Sequence, residues 1–207
     1  MIRTLLIPAV SCAVLAFAPL ASAQPAPPSQ DPAAAPAGAY EIDTRHTSVI
    51  IKIDHLGFSN YALRFNEATA SYSYDPADPL ATRITATVNP ASVDTGMPAF
   101  NEEIAGPRIL NAAEHPEITF VSTGIRDVQG NRGVVTGDLT FLGVTRPLDL
   151  NVVFNGGGAS MGNVNRMGFS ATGTFKRSDF GHGFMQGMLG DEVEIHIETE
   201  FVSRPAN

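Results

Sequence analysis

Val49-Ile50-Ile51-Lys52-Ile53 is the stretch from which the fold is read. Val49, Ile51 and Ile53 alternate with Ile50 and Lys52, and a period of two lines one face of a strand with branched apolar side chains. The signal recurs along the chain. Residues 63–74 read as a second, long strand carrying Leu63, Phe65, Tyr72 and Tyr74. Ile84, Ala86 and Val88 alternate with Thr85 and Thr87. Residues 118–123, 134–142, 148–154, 168–175 and 193–202 are rich in the β-branched and aromatic side chains that strands favour. Asp75-Pro76, Gln129-Gly130-Asn131 and residues 155–158 separate them as turns. One segment reads as helix, residues 98–110, with Phe100, Ile104 and Ile109 at helical spacing. Glu102 and Glu103 lie near its start, where the helix dipole favours acids, and Gly106-Pro107 should break it. About eight strands and one short helix predict an all-β fold, a small antiparallel up-and-down β-barrel whose interior can hold one elongated ligand.

Outward from this domain, residues 24–39 are almost entirely Ala, Pro, Gly, Ser and Gln, and read as a disordered tether. Before them, Arg3 precedes an apolar run over residues 5–20 that ends in Ala21-Ser22-Ala23. This is the pattern of a cleaved export signal, with the cut after Ala23. The run is shorter than a bilayer span and is interrupted by Pro8 and Pro19. The expectation is a leader over residues 1–23, a tether over 24–39 and one domain over 40–204, working in the periplasm without a stable membrane anchor. Cleavage would remove Cys12, the single cysteine, leaving no disulfide, thiol nucleophile or thiolate ligand. The formal net charge is −8 and no Lys/Arg cluster exists, which argues against nucleic acid and anionic membrane surfaces as partners.

Patterns of catalysis are weak. Gly168-Phe169-Ser170-Ala171-Thr172 lacks the second glycine of a nucleophile elbow and lies in a strand pattern. Gly156-Gly157-Gly158 lacks the Lys-Ser/Thr of a phosphate loop. Neither an enzyme nor a cofactor is expected. The five histidines show no zincin spacing. His182 with Met185 and Met188 is a soft-ligand set that would suit a periplasmic copper-binding module, although thioethers more often serve packing. The 12 Phe, mostly on alternating strand positions, fit either a packed core or a barrel enclosing a hydrocarbon chain, and composition leaves both open.

A series of strings resembles the YceI-like family, the polyisoprenoid-binding or lipid-binding proteins. In order they are Tyr40-Glu41-Ile42-Asp43, His46-Thr47-Ser48-Val49, His55-Leu56-Gly57-Phe58-Ser59, Arg64-Phe65 and Ala91-Ser92-Val93-Asp94-Thr95-Gly96. Leu110-Asn111-Ala112-Ala113-Glu114-His115-Pro116-Glu117-Ile118-Thr119-Phe120 follows, then Gly137-Asp138-Leu139-Thr140-Phe141-Leu142-Gly143-Val144-Thr145-Arg146-Pro147-Leu148. Arg177-Ser178-Asp179-Phe180-Gly181 and Gly190-Asp191-Glu192-Val193 close the series. The resemblance implies an extended, lipocalin-like barrel with an elongated pocket for an isoprenoid quinone, a polyprenyl lipid or another long-chain amphiphile. By analogy it also suggests a homodimer. Ala62-Leu63-Arg64-Phe65 departs from the family's usual Gly before the second-strand Phe, and the 182–190 loop is unusually rich in Gly and Met.

Alternation nominates Ile53, Phe65, Phe120, Phe141, Phe154 and Phe169 as chain-contacting residues, and Met185 and Met188 join them as adaptable contacts near an entrance. Ala171 and Gly173, beside Phe169, would leave width for the chain. Asp43, His46, Arg177 and Asp179 are expected to pair in part, tying the first strand to the last.

Overall fold

The computed structural model describes residues 27–162 and 164–203. The expected leader and the first residues of the expected tether lie outside these. The elements are β1 (Gly38–Ile42), β2 (Ser48–His55), β3 (Ser59–Phe65), β4 (Ala68–Tyr74), β5 (Ile84–Val88), β6 (Val93–Asp94), α1 (Pro98–Ala105), β7 (Ile118–Gln129), β8 (Arg132–Phe141), β9 (Val144–Ser160), β10 (Val164–Lys176) and β11 (Leu189–Ser203).

All strand pairings are antiparallel. β1, β4, β5, β7, β8, β9, β10 and β11 close on themselves through the β1–β11 pair. β2, β3 and β6 continue the wall at one end. β11 explains how. Its residues 201–203 pair with β1 and its residues 189–198 pair with β2, so β1 and β2 are two halves of one stave, broken at the turn Thr44–His46. Asp43 caps that turn by accepting from the Arg45 N–H.

β3 and β4 form a second broken stave, which corrects the single strand expected over 63–74. At the break the backbone bonds to a turn instead of a strand. The Asn66 N–H donates to the Ser92 carbonyl, the Glu67 N–H to Ser92 Oγ, and the Asn89 N–H to the Glu67 carbonyl.

Residues 155–158, expected as a turn, lie inside β9, where residues 156–158 pair with 166–168 across a bulge at Gly168/Phe169. α1 ends at Ala105, shorter than expected, with the Gly106 N–H donating to the Glu103 carbonyl. Glu102 and Glu103 are not in its first turn. Thr95 and Asn101 bond to each other there instead.

The barrel therefore has two unlike ends. At the helix end lie α1, the β2–β3 hairpin and the loop before β11. There Tyr61 meets Phe100 edge-on at 5.8 Å, and Arg108 covers the Phe184 ring at 5.0 Å. At the other end residues 28–36 form a strap. Residues 27–39, the described part of the segment expected as a disordered tether over 24–39, make defined contacts. Ser29 exchanges both backbone hydrogen bonds with Gly157 at 2.9 Å. The Tyr74 and Tyr40 hydroxyls donate to the carbonyls of Pro32 (2.7 Å) and Pro36 (2.8 Å). Ala35 is only 3% exposed, among Tyr40, Tyr72, Phe154 and Met167. Composition hid this because the contacts come from backbone carbonyls and one methyl group.

Candidate ligand cavity

Alternation sends one residue in two inward on each stave, and these side chains do not fill the barrel. They line a cavity of about 860 Å³. On β9 the inward row is Leu148, Leu150, Val152 and Phe154, and on β10 it includes Met167, Phe169 and Ala171. Seven of the eight nominated residues are on its wall: Ile53, Phe65, Phe120, Phe141, Phe154, Phe169 and Met185. Phe65, Phe141 and Phe154 are buried, while the other four are half-buried. Phe120 reaches its position across Gly137, where a Cβ would sit 2.4 Å from the ring.

Met188 is the correction. It is not on the wall and stands exposed at the surface. A turn holds it there, its N–H donating to the Met185 carbonyl and its carbonyl accepting from the Leu56 N–H. Gly173 is a second correction. It does not leave free width, because a Cβ there would lie 2.8 Å from Leu150 Cδ2 and 2.9 Å from the Asp149 carbonyl oxygen.

The tyrosines were missed as wall residues. Tyr72 and Tyr74 line the strap end, and Tyr40 stacks on Tyr72 at 5.3 Å. The Tyr72 hydroxyl donates to the Met167 sulfur at 3.0 Å, and burial pushes its phenol well above the ordinary value. The available signal was the parity of Tyr72 and Tyr74 on their strand.

Polar groups on the wall are few and mostly committed. Arg177, 3% exposed, reaches the helix end of the cavity. It donates to the carbonyls of Phe184 (2.6 Å), Gly190 (2.7 Å), Leu189 (3.1 Å) and His182 (3.3 Å), and to His182 Nδ1 at 3.0 Å. It therefore moulds the 182–190 loop. Burial, and then the Arg177 charge, hold the His182 imidazole below its ordinary value. His182 Nδ1 is thus taken up by Arg177, and Met185 and Met188 part, one on the cavity wall and one on the outer surface, so the three do not face one point.

Asp43 is buried and joins Arg166 and His46, each at 2.9 Å. Arg166 also pairs with Glu200. The cluster ties the β1–β2 break to β10 and β11, as the polar reading expected of Asp43 and His46. Asp43, His46 and Glu200 bring three donor atoms within 4.8 Å, but Arg166 already supplies the positive charge a metal ion would bring. Asp179 is exposed and does not join this cluster. Ser178, its neighbour, bonds Asp191 instead. Ser170 lies on the outer face, donating to Glu198 at 2.6 Å and accepting from Asn155 at 2.8 Å.

The model of the YceI-like domain matches residues 40–201. A UPF0312 protein of Shewanella sp. (strain W3-18-1) is 37% identical over 175 residues, which is 84% of this chain and 92% of that protein. The crystal structure of Burkholderia cenocepacia BcnA superposes with a TM-score of 0.67 at 26% identity, covering 77% of this chain and 98% of that one. A polyisoprenoid-binding domain from Saccharophagus degradans shares the fold, with a TM-score of 0.57 at 14% identity over 80% of this chain and 98% of its own.

Proposed function

The chain belongs to the YceI-like family, and from that premise we propose that it is an exported carrier or store for a long-chain isoprenoid, a quinone or polyprenyl lipid, or another long-chain amphiphile held inside the barrel. The observation that carries this reading is the cavity. About 860 Å³ of apolar-lined space runs along a barrel of this size, within the range of small-molecule sites. A barrel built only for stability would close it, because interiors pack to crystal-like density. The name of the Saccharophagus degradans domain points to the same ligand class.

Binding of this kind needs no reactive side chain. Each methylene moved from water into an apolar interior gains about 0.8 kcal/mol, so ten give roughly 8 kcal/mol before association costs. That is the scale of micromolar affinity, about −8.2 kcal/mol. The reading is therefore a binding protein and not an enzyme, with the periplasm as its compartment. A series of isoprenoid benzoquinones of increasing tail length tests it. Affinity should rise with each added unit and level off once the tail outgrows the cavity. Affinity independent of tail length would contradict it.

A further inference from the structure

The cavity wall comes to the surface at the strap end. Two large apolar side chains there belong both to the wall and to the outer surface: Leu80, 52% exposed, and Val128, 53% exposed. Leu80 lies in the turn Pro79–Ala81 and Val128 near the end of β7. The strap residues Asp31, Pro32 and Ala33 and the hairpin residues Gly130 and Arg132 also line this end of the cavity. Apolar surface thus runs from inside the barrel to the outside through Leu80 and Val128. At the opposite end the most exposed aromatic, Phe58 at 88%, is not part of the wall.

We propose that the strap end, around Leu80 and Val128, is a docking surface for a lipid bilayer, through which the barrel exchanges its apolar cargo. This rests on the carrier reading above. The bilayer is chosen as occupant because the exposed side chains continue the cavity wall. A hydrocarbon tail leaving a membrane there would pass from one apolar medium to another without crossing water, where each exposed methylene is unfavourable. The net charge of −8 opposes an anionic surface. Arg132 and Asp31 at the mouth offer one charge of each sign, which suits a zwitterionic headgroup. The contact is therefore peripheral and neutral.

The absence of tryptophan from the sequence gives a direct test. Val128→Trp and, separately, Phe58→Trp place one indole at each end of the protein purified from an exporting host. On addition of phosphatidylcholine vesicles, the indole of Val128→Trp should shift to shorter wavelength and be quenched by brominated lipid, while that of Phe58→Trp should not respond. In flotation with the same vesicles, the double change Leu80→Ser and Val128→Ser should weaken partition by about tenfold or more. Its circular dichroism spectrum should match the parent's. No response in Val128→Trp, or a response confined to Phe58→Trp, would overturn the proposal. So would a parent that sediments as a dimer through this patch, because the occupant would then be a second copy. Titration with an isoprenoid quinone delivered from ethanol tests the carrier reading separately. Uptake from ethanol together with no vesicle response in Val128→Trp would remove the docking surface and leave the carrier.

Discussion

Arg177 and Asp43 are both charged and both buried, yet they answer the cost of burial differently. Arg177 spreads its guanidinium over backbone carbonyls and one imidazole nitrogen. Asp43 is met by Arg166 and His46. The hydrogen bond from His46, with that from Arg166, holds the Asp43 carboxyl well below the usual carboxylate range.

Asp43→Ala would leave Arg166 with Glu200 as its one remaining carboxylate partner there and lower stability by about 1–3 kcal/mol in urea denaturation. This is less than the ~3–5 of a fully buried pair, because a quarter of the Arg166 side chain remains in water. Asp179→Ala, expected from sequence to break such a pair, should change stability by less than ~0.5 kcal/mol, since Asp179 is exposed. A loss for Asp179 equal to that for Asp43 would contradict the assignment.

His182 carries a pH dependence of definite sign. Its folded value is lowered, so the unfolded chain takes up its proton first as pH falls. The stabilisation is complete above the unfolded value, about 6.5, and is lost as pH falls below it. The difference in melting temperature between pH 7.5 and 5.5 should therefore shrink in His182→Asn, whose side-chain oxygen can still accept from Arg177. An unchanged difference would show that His182 does not titrate in this window.

The elements show what alternation reveals and what it hides. The rows Val49-Ile51-Ile53 and Phe169-Ala171 point inward as a period of two requires, and the six nominated residues on strands reach the cavity for that reason, while Met185 reaches it from a turn. Met188 misses the wall because the turn that brings Met185 to the cavity turns Met188 to the outer surface, a direction that parity does not encode in a turn. The break between β3 and β4 left a trace in the sequence: the inward row changes parity from Leu63 and Phe65 to Ala68, Ala70 and Tyr72, as the hydrogen-bonding partner changes from β2 to β1. The strap was hidden because its anchors are backbone groups met by a tyrosine on a distant strand, Tyr74, by one just beyond the strap, Tyr40, and by Gly157. Those anchors are testable. With Tyr74→Phe and Tyr40→Phe combined, the Ala34 and Ala35 amides, which donate to Asp31 and Pro32, should exchange with deuterium about tenfold faster. That factor corresponds to one net hydrogen bond of ~1.4 kcal/mol. Unchanged exchange would mean that Ala35 packing and the Ser29–Gly157 pair hold the strap by themselves.

At the scale of the whole molecule, a closed sheet can form either a solid core or a container, and the side chains decide which. Here apolar clusters form at the two ends. Val49, Phe65, Phe141, Phe180 and Ile195 belong to one, and Tyr40, Tyr72, Phe154, Met167 and Phe201 to the other. The cavity wall runs through both. Ala171 on that wall is the position where added volume discriminates most cleanly, since Gly173 abuts the Asp149 carbonyl. In a solid core Ala171→Leu would overpack and cost about 1–3 kcal/mol. In a container it would take up ligand space and leave the fold intact. The most direct measurement is native mass spectrometry of protein freshly purified without detergent from an exporting host, parent and Ala171→Leu side by side. The account predicts a non-covalent adduct with the mass of a long-chain isoprenoid or other lipid on the parent, and its loss or sharp reduction on an Ala171→Leu variant with an unchanged β-sheet spectrum. A parent without any lipid adduct, together with an Ala171→Leu variant that is destabilised, would contradict it.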